Sequence, residues 1–124
     1  MKTKEEIISL YPEIFQENFY FSIHSGWLDI VDNLCNNIVK RIKESDNSSV
    51  TVDQVKQKFG TLRFYVSIIS DDEQFKKDIY KLISDAEVTT EKICEFCGAN
   101  AELNRNGRWW FTLCNPCLNS KNNH

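Results

Sequence analysis

The chain has 124 residues, of which 41% are hydrophobic and 12% aromatic, and its formal net charge at pH 7 is −3. This apolar content supports a packed core and excludes a disordered chain. The net negative charge excludes a protein that coats nucleic acid along its length, because such a protein would be strongly basic. The length predicts one small domain.

The predicted elements begin with a short helix and an aromatic arm. Residues 4–10 favour a helix that ends before Pro12, because proline cannot continue a helix. Residues 13–21 carry more aromatic mass than a bare linker needs. We therefore expect this arm to pack across the core, with part of the stretch from Phe19 to Ile23 extended.

The main helix is predicted to begin at Ser25, a residue type favoured at the N-cap. From Trp27 to Ile42, apolar residues recur at three- and four-residue steps, which is the period of a helix with one buried face. Cys35 lies within this stripe, and we expect it to behave as a small buried apolar side chain.

A β-hairpin is predicted next, with one strand over residues 50–59, the other over residues 61–69, and Gly60 at or near the turn. In the second strand, apolar and polar residues alternate strictly. This alternation predicts one face that packs on the helices and one that faces outward.

The first strand of this hairpin carries an irregularity. Val52 and Val55 are out of phase by one residue, which predicts a β-bulge near Asp53. We expect Val55 and Phe59 to face inward. The outer face is then predicted to carry Gln54, Lys56, Lys58, Arg63 and Tyr65.

A second amphipathic helix is predicted from about Asp72 to about Val88, and residues 89–93 lead to the C-terminal segment. These elements predict an α+β fold, in which an antiparallel β-hairpin is packed by two helices and a C-terminal zinc-ribbon-like hairpin is appended. The core is expected over residues 1–93 and the metal module over residues 94–124, within one compact domain.

The most specific motif is a pair of C-x-x-C sequences, formed by Cys94 with Cys97 and by Cys114 with Cys117. Their separation falls in the window typical of four-thiolate zinc sites. Four thiolates complete a tetrahedron and leave no position for water, so the predicted Zn²⁺ is structural rather than catalytic.

The segment between the two cysteine pairs is predicted to run out and back as a hairpin. Asn106-Gly107 favours a two-residue turn, and the aromatic stretch from Arg108 to Leu113 favours the returning strand. Neighbours on a strand face opposite ways, so Trp109 and Trp110 cannot both be buried on one side. We expect them to cover the metal site or join it to the core, with an exposed stacking platform as the alternative for one of them.

Three other uses of the cysteines compete with zinc. Disulfides are disfavoured because residues 1–6 lack the apolar core of a secretory signal, which predicts a cytoplasmic, reducing location. The C-x-P-C sequence from Cys114 to Cys117 has the form of a thioredoxin-type redox motif, but that motif normally opens a helix in a βαβ unit. Iron also occupies four-thiolate sites of this spacing.

Several segments together resemble a known family. They are Gly26-Trp27, Leu34-Cys35, the stretch QVKQKFGTLRFY over residues 54–65, CEFCG over residues 94–98, and Trp110 with Thr112-Leu113-Cys114 and Cys117. Through them, residues 20–117 resemble a family of short uncharacterised proteins found in bacteria and their phages. In similar sequences the last ligand position can be histidine, whereas Cys117 keeps this site all-thiolate. The resemblance implies a bacterial or phage cytoplasmic origin and carries over no catalytic residue.

Outside the metal motif, the outer hairpin face is the strongest binding candidate. Gln54, Lys56, Lys58, Arg63 and Tyr65 combine cations that suit phosphates or acidic groups with a ring on which a partner can stack. The alternative is an ordinary solvated sheet face, whose lysines discourage pairing with other strands.

The histidines are His24 and His124, and His124 belongs to the C-terminal tail. An enzyme acting on nucleic acid or nucleotides would need His24, Asp29 and Arg63 to converge in one pocket. Asp29 and Asp32 share one side of the predicted helix, which is the pattern of a solvated acidic face.

The sequence therefore predicts a zinc-stabilised binding or regulatory protein, with a protein or a nucleic acid as its partner and no membrane segment. Two alternatives are open. One is an enzyme acting on nucleic acid or nucleotides. The other is a phage inhibitor that sequesters a host defence protein or a signalling nucleotide.

Overall fold

The computed structural model describes residues 2–122 and confirms the predicted α+β class. The expectation for His124 lies outside the described residues. None of the helices within residues 2–122 has both the length and the apolar content needed to cross a membrane. The elements, in chain order, are α1 (Lys4–Leu10), β1 (Phe21–Ser22), α2 (Leu28–Lys43), β2 (Ser49–Lys58), β3 (Thr61–Ile69), α3 (Glu73–Thr89), β4 (Leu103–Asn104), β5 (Phe111–Thr112) and α4 (Asn115–Asn122).

The main sheet has the strand order β1-β2-β3. β2 and β3 form the predicted antiparallel hairpin, and the expected bulge appears as a register shift between Val52 and Gln54. The arm preceding α2 supplies β1, which pairs in parallel with β2 and places Phe21 opposite Val55. The expected extended segment between Phe19 and Ile23 is therefore the third strand of the sheet.

The turn between β2 and β3 differs from expectation at Phe59. Phe59 and Gly60 have φ values of +55° and +81°, so both lie in the left-handed region that a type I′ hairpin turn requires. The Phe59 side chain is 58% exposed, and the prediction that it faces inward is wrong. Because it sits in the turn, it leaves the alternation of the strand, and its ring packs 5.8 Å from that of Trp110.

One hydrophobic core unites the inner sheet face with the helices. α2 packs against α3, and α3 packs against β3. Trp27 is the largest fully buried side chain, and its indole Nε1 donates a hydrogen bond to the carbonyl oxygen of Ile93 at 2.8 Å. Cys35 is fully buried in this core, as expected, and burial raises the pKa of its thiol.

The start of the main helix also differs from expectation. Residues Ser25–Trp27 form a 3₁₀ turn, and α2 begins only at Leu28. Ser25 is not the N-cap, because its hydroxyl instead donates to the carbonyl oxygen of Phe96 at 3.2 Å. A contact distant in sequence thus replaces the local cap.

The outer edge of β3 is covered by the end of α3 and the 3₁₀ turn Thr90–Lys92 that follows it. The Leu62 N–H donates to Thr90 Oγ1 at 3.0 Å, and the Phe64 N–H donates to Glu87 Oε2 at 3.0 Å. Burial raises the pKa of the Glu87 carboxyl. Two backbone N–H groups at the edge of β3, which could otherwise pair with a strand of another molecule, therefore have hydrogen-bond acceptors within this chain.

Replacing Thr90 with valine is expected to lower the free energy of unfolding by about 1–3 kcal/mol, because the buried Leu62 N–H loses its acceptor. Thr89→Val is the matched control, since the exposed Thr89 hydroxyl bonds only within its own helix, to Asp85. Urea denaturation of both variants measures the difference. Equal losses would contradict this role for Thr90.

Candidate metal centre

The four predicted ligand cysteines converge in the structure. The Sγ atoms of Cys94, Cys97, Cys114 and Cys117 all lie within 4.8 Å of one another. A Zn–S bond of about 2.3 Å places the sulfurs of a tetrahedral site about 3.8 Å apart, so this cluster can hold a metal ion. All five cysteines are free, and the Cys97 and Cys114 sulfurs lie 3.5 Å apart, well beyond a covalent S–S bond. The disulfide alternative is therefore not borne out.

The first cysteine pair lies in a tight knuckle from Cys94 to Gly98. The Gly98 N–H donates to the Cys94 carbonyl oxygen at 2.9 Å, and the Cys94 N–H donates to the Ala99 carbonyl oxygen at 2.7 Å. Gly98 has a φ of +84°, which a residue with a side chain adopts only under strain. The glycine after the first cysteine pair therefore allows the backbone to fold around the site.

Backbone N–H groups favour the thiolate form of Cys94. Burial alone would raise the pKa of this thiol, but hydrogen bonds from the backbone of Cys114, Cys97 and Phe96 lower it to about 7. The Cys114 side chain, in contrast, raises the pKa of Cys117. A thiolate is the form that binds a metal, so Cys94 is prepared for coordination, and a bound cation would displace the protons held by its neighbours.

The second cysteine pair opens a helix. Cys114 precedes α4, Cys117 lies in its first turn, and the Leu118 N–H donates to the Cys114 carbonyl oxygen at 2.9 Å. The strand before this helix is β5, which belongs to an antiparallel pair rather than a βαβ unit. The redox alternative therefore lacks its structural context. α4 continues to Asn122, so the polar stretch after Cys117 is helical as far as that residue.

The hairpin between the pairs is wider than predicted. β4 and β5 pair through Leu103 with Thr112 and Asn104 with Phe111, which leaves residues 105–110 as the loop. The predicted two-residue turn at Asn106-Gly107 is therefore wrong, although Gly107 does have a positive φ of +80°. Asn104 Oδ1 accepts a hydrogen bond from the Asn106 N–H at 2.9 Å, and this side-chain bond starts the wider loop.

The two tryptophans lie in this loop and not on a strand, because the predicted strand from Arg108 to Leu113 is limited to Phe111–Thr112, but they point to different surfaces. Trp110 is half-buried beside Phe59, with the Arg105 guanidinium 5.8 Å from its ring centroid. Trp109 is 59% exposed and lines a separate cleft that also includes Phe96.

The first knuckle is seated directly on the 3₁₀ turn before α2. The Gly26 N–H donates to the Glu95 carbonyl oxygen at 2.7 Å. A Cβ at position 26 would overlap the carbonyl oxygens of Cys94 and Glu95, so only glycine allows this approach. Sequence reasoning missed the role of Gly26, and the signal available for it was its place in the family-like segments.

A second junction joins the metal hairpin to the turn of the main sheet. The buried Thr112 hydroxyl donates to the Gly60 carbonyl oxygen at 2.7 Å, and the Glu95 N–H donates to the Thr112 carbonyl oxygen at 2.9 Å. Thr112 thus links the β2–β3 turn, β5 and the first knuckle. The two segments predicted as core and module are packed together through these bonds.

The predicted outer-face residues do share one face of the main sheet. The register pairs Gln54 with Tyr65 and Lys56 with Arg63, while the intervening Val55 is buried. Tyr65 is 43% exposed. In the part of the chain that the structure describes, Lys56, Lys58 and Arg63 form no ion pair.

The residues of the enzyme alternative are not brought into one cavity. His24 packs edge-on against Phe96, with ring centroids 4.3 Å apart, and lines the cleft that contains Trp109. Arg63 lines a different cleft, beside Trp110, and Asp29 lines neither.

Asp32 proves to be a structural residue rather than part of a solvated face. It accepts hydrogen bonds from Lys2 Nζ at 2.8 Å and from the Tyr11 hydroxyl at 2.7 Å. Burial would raise the pKa of this carboxyl, but the two hydrogen bonds outweigh it and lower the pKa. Asp32 therefore fastens the N-terminal segment to α2.

Comparison of the chain with protein-family models, with curated proteins and with solved structures finds no match.

Gly26→Ala is expected to lower the free energy of unfolding by about 1–3 kcal/mol and to weaken metal retention, because the added Cβ forces the knuckle away from the turn. Gly107→Asn is the control, since nothing lies within 4 Å of a Cβ there and asparagine tolerates a positive φ. Thermal melts and titration with a chelator measure both effects. Equal thermal stability and equal metal retention in the two variants would show that Gly26 is not needed to position the knuckle.

Proposed function

We propose that this protein is a zinc-stabilised binding module that captures a protein or nucleic-acid partner. The metal assignment is supported by the donor set, because four thiolates around a tetrahedral centre are typical of structural Zn²⁺ sites. Cys94, Cys97, Cys114 and Cys117 would hold the ion. Zinc in such a site contributes about 10–16 kcal/mol in small peptides, so it would stabilise the fold rather than take part in a reaction.

The purified protein is expected to carry one zinc per chain, and Cys97→Ser is expected to lose most of it because the tetrahedron loses a ligand. Cys35→Ala is the matched control, since Cys35 is buried in the core away from the cluster and the variant should keep its metal. Elemental analysis gives the stoichiometry, and visible absorption reveals iron. A metal content that is equal in both variants would contradict the assignment.

The observation that carries the binding proposal is the outer face of β2 and β3. Five other cations of the described chain have carboxylate partners: Lys2, Arg41, Lys76, Lys81 and Arg105. Lys56, Lys58 and Arg63 are among the described cations that have none within ion-pair distance, and the strand register places these three on one face of the sheet. Arg63 lies close enough to Glu87 to oppose the rise in the pKa of that carboxyl, so its charge is partly balanced, whereas the positive charge of Lys56 and Lys58 favours a partner that brings phosphates or carboxylates.

A non-enzymatic role fits the rest of the molecule. Four thiolates would fill the coordination of the metal and leave no position for water or substrate. His24 and Arg63, which an enzyme would need together, line different clefts. From the family resemblance we propose that the protein acts in the cytoplasm of a bacterium, encoded by the bacterium or by its phage.

The triple variant Lys56→Glu, Lys58→Glu, Arg63→Glu is expected to reduce capture of partners from a bacterial lysate at least about tenfold, because the patch changes sign. The control triple Lys40→Glu, Lys77→Glu, Lys81→Glu changes the net charge equally, but on the exposed faces of α2 and α3. Quantitative mass spectrometry of the captured fraction compares them, with circular dichroism as the test of folding. Undiminished capture by the first triple would falsify the assignment of this surface.

A further inference from the structure

The outer face extends beyond β2 to an exposed tyrosine at the start of β1. Phe21 is buried and pairs with Val55, so its neighbours Tyr20 and Ser22 face the other way, with Ser22 opposite Lys56. Tyr20 is 78% exposed. The tyrosine therefore lies on the same side of the sheet as the cations.

A positive charge accompanies this ring. Lys4 Nζ lies 5.9 Å from the centroid of Tyr20 and 3.5 Å from the carbonyl oxygen of Phe21. In the described chain, Lys4 takes part in no ion pair. Lys4 therefore places a positive charge beside Tyr20, at the cleft that this ring lines.

Tyr20 also forms one wall of a cleft of about 380 Å³ between the main sheet and the metal hairpin. Phe96 of the first knuckle and Trp109 of the hairpin loop line the same cleft. Its polar groups include the Gln57 amide and the carboxylate of Glu95, whose Oε2 accepts a hydrogen bond from the His24 N–H at 3.2 Å. We call this space the aromatic cleft.

The chemistry of the aromatic cleft favours a nucleobase over a phosphate. Exposed aromatic rings stack on the π-face of any base, and an amide with a carboxylate can accept from and donate to the edge of a base. The Glu95 carboxylate would repel a phosphate placed beside it, whereas Lys4, which lines the same cleft next to Tyr20, would attract one. Phosphates would therefore lie away from Glu95, on Lys4 and on the cations of the sheet face.

The spacing of the exposed rings suits an extended strand. Tyr65 lies on β3 and Tyr20 at the start of β1, two strand positions apart across the sheet. Adjacent strands are about 4.8 Å apart, so the backbones at Tyr65 and Tyr20 are separated by about 10 Å. The row then continues into the aromatic cleft to Trp109. A duplex keeps its bases stacked inside and cannot offer them to such a row.

We propose that this protein binds single-stranded nucleic acid, with one base in the aromatic cleft between Tyr20 and Trp109 and with phosphates on Lys4, Lys56 and Arg63. This inference rests on the proposed function and narrows its partner to one class. An acidic protein would use the cations but would leave the rings of the cleft without a role.

Fluorescence anisotropy with a labelled oligonucleotide of about 12 nucleotides, as DNA, as RNA and as the matching duplex, tests the proposal. Tyr20→Ala and Trp109→Ala are each expected to weaken single-strand binding roughly 5- to 150-fold. Trp109→Phe should keep most of the affinity. Tyr80→Ala is the control, because Tyr80 is 54% exposed on α3, away from both surfaces.

The salt dependence of oligonucleotide affinity distinguishes the contribution of the aromatic rings from that of the cations. Lys56→Glu is expected to flatten the slope of log affinity against log salt, whereas Tyr20→Ala should leave the slope unchanged. Tryptophan fluorescence of the unmodified protein should fall on addition of the oligonucleotide, and Trp109→Phe should remove that change. Metal content and circular dichroism confirm that each variant is folded.

Three results would overturn the inference: a duplex bound as tightly as the single strand, alanine variants that bind like the unmodified protein, or no oligonucleotide binding at all. If no oligonucleotide binds while the Lys56, Lys58, Arg63 triple still loses partners from lysate, the proposed function stands with a protein partner. If no oligonucleotide binds and the triple variant captures as much partner from lysate as the unmodified protein, the proposed function itself is contradicted.

Discussion

The close approach of the Cys94 knuckle to Gly26 is the contact on which the rest of the structure depends. The Gly26 N–H bonds to Glu95, the Ser25 hydroxyl bonds to Phe96, and the indole of Trp27 bonds to Ile93, so three successive residues hold one segment. Any side chain at position 26 would occupy the space of the knuckle carbonyls. The segment that carries the first cysteine pair therefore packs directly against the main core. Metal binding would accordingly stabilise the whole domain and not only its C-terminal end.

The same contact brings together the surfaces that we assign to partner binding. The aromatic cleft takes one wall from the N-terminal arm at Tyr20, one from the knuckle at Phe96, and one from the hairpin loop at Trp109. These residues are far apart in sequence and meet only when the knuckle is seated. Loss of the metal would therefore separate the walls of the aromatic cleft. The β2–β3 hairpin depends on its own register and core, so its cations would stay on one face of the sheet. The proposed metal would therefore stabilise the aromatic cleft but not the cationic face of the sheet.

Features governed by local pattern could be predicted from the sequence, and features governed by distant contacts could not. The helix periodicity, the strand alternation and the bulge near Asp53 are local, and each appears as expected. The cysteine spacing likewise predicted the cluster of sulfurs. The error at Ser25 arises from a distant contact, since its hydroxyl bonds to Phe96 of the metal segment, whereas the error at Phe59 arises because that residue occupies the two-residue turn rather than the strand. The loop around Asn106 is wider than the predicted turn, with pairing ending at Asn104 and Phe111 and the Asn104 side chain bonded to the Asn106 N–H.

A metal ion held by all four sulfurs is the central requirement of the proposed structure, and X-ray absorption at the zinc edge of the purified protein tests it directly. We expect a single shell of four sulfur atoms at about 2.3 Å and no nitrogen or oxygen neighbour. A shell that contains water or imidazole, fewer than four sulfurs, or no zinc signal in folded protein would contradict a closed structural centre. The seating of the knuckle on Gly26 would then require another cause.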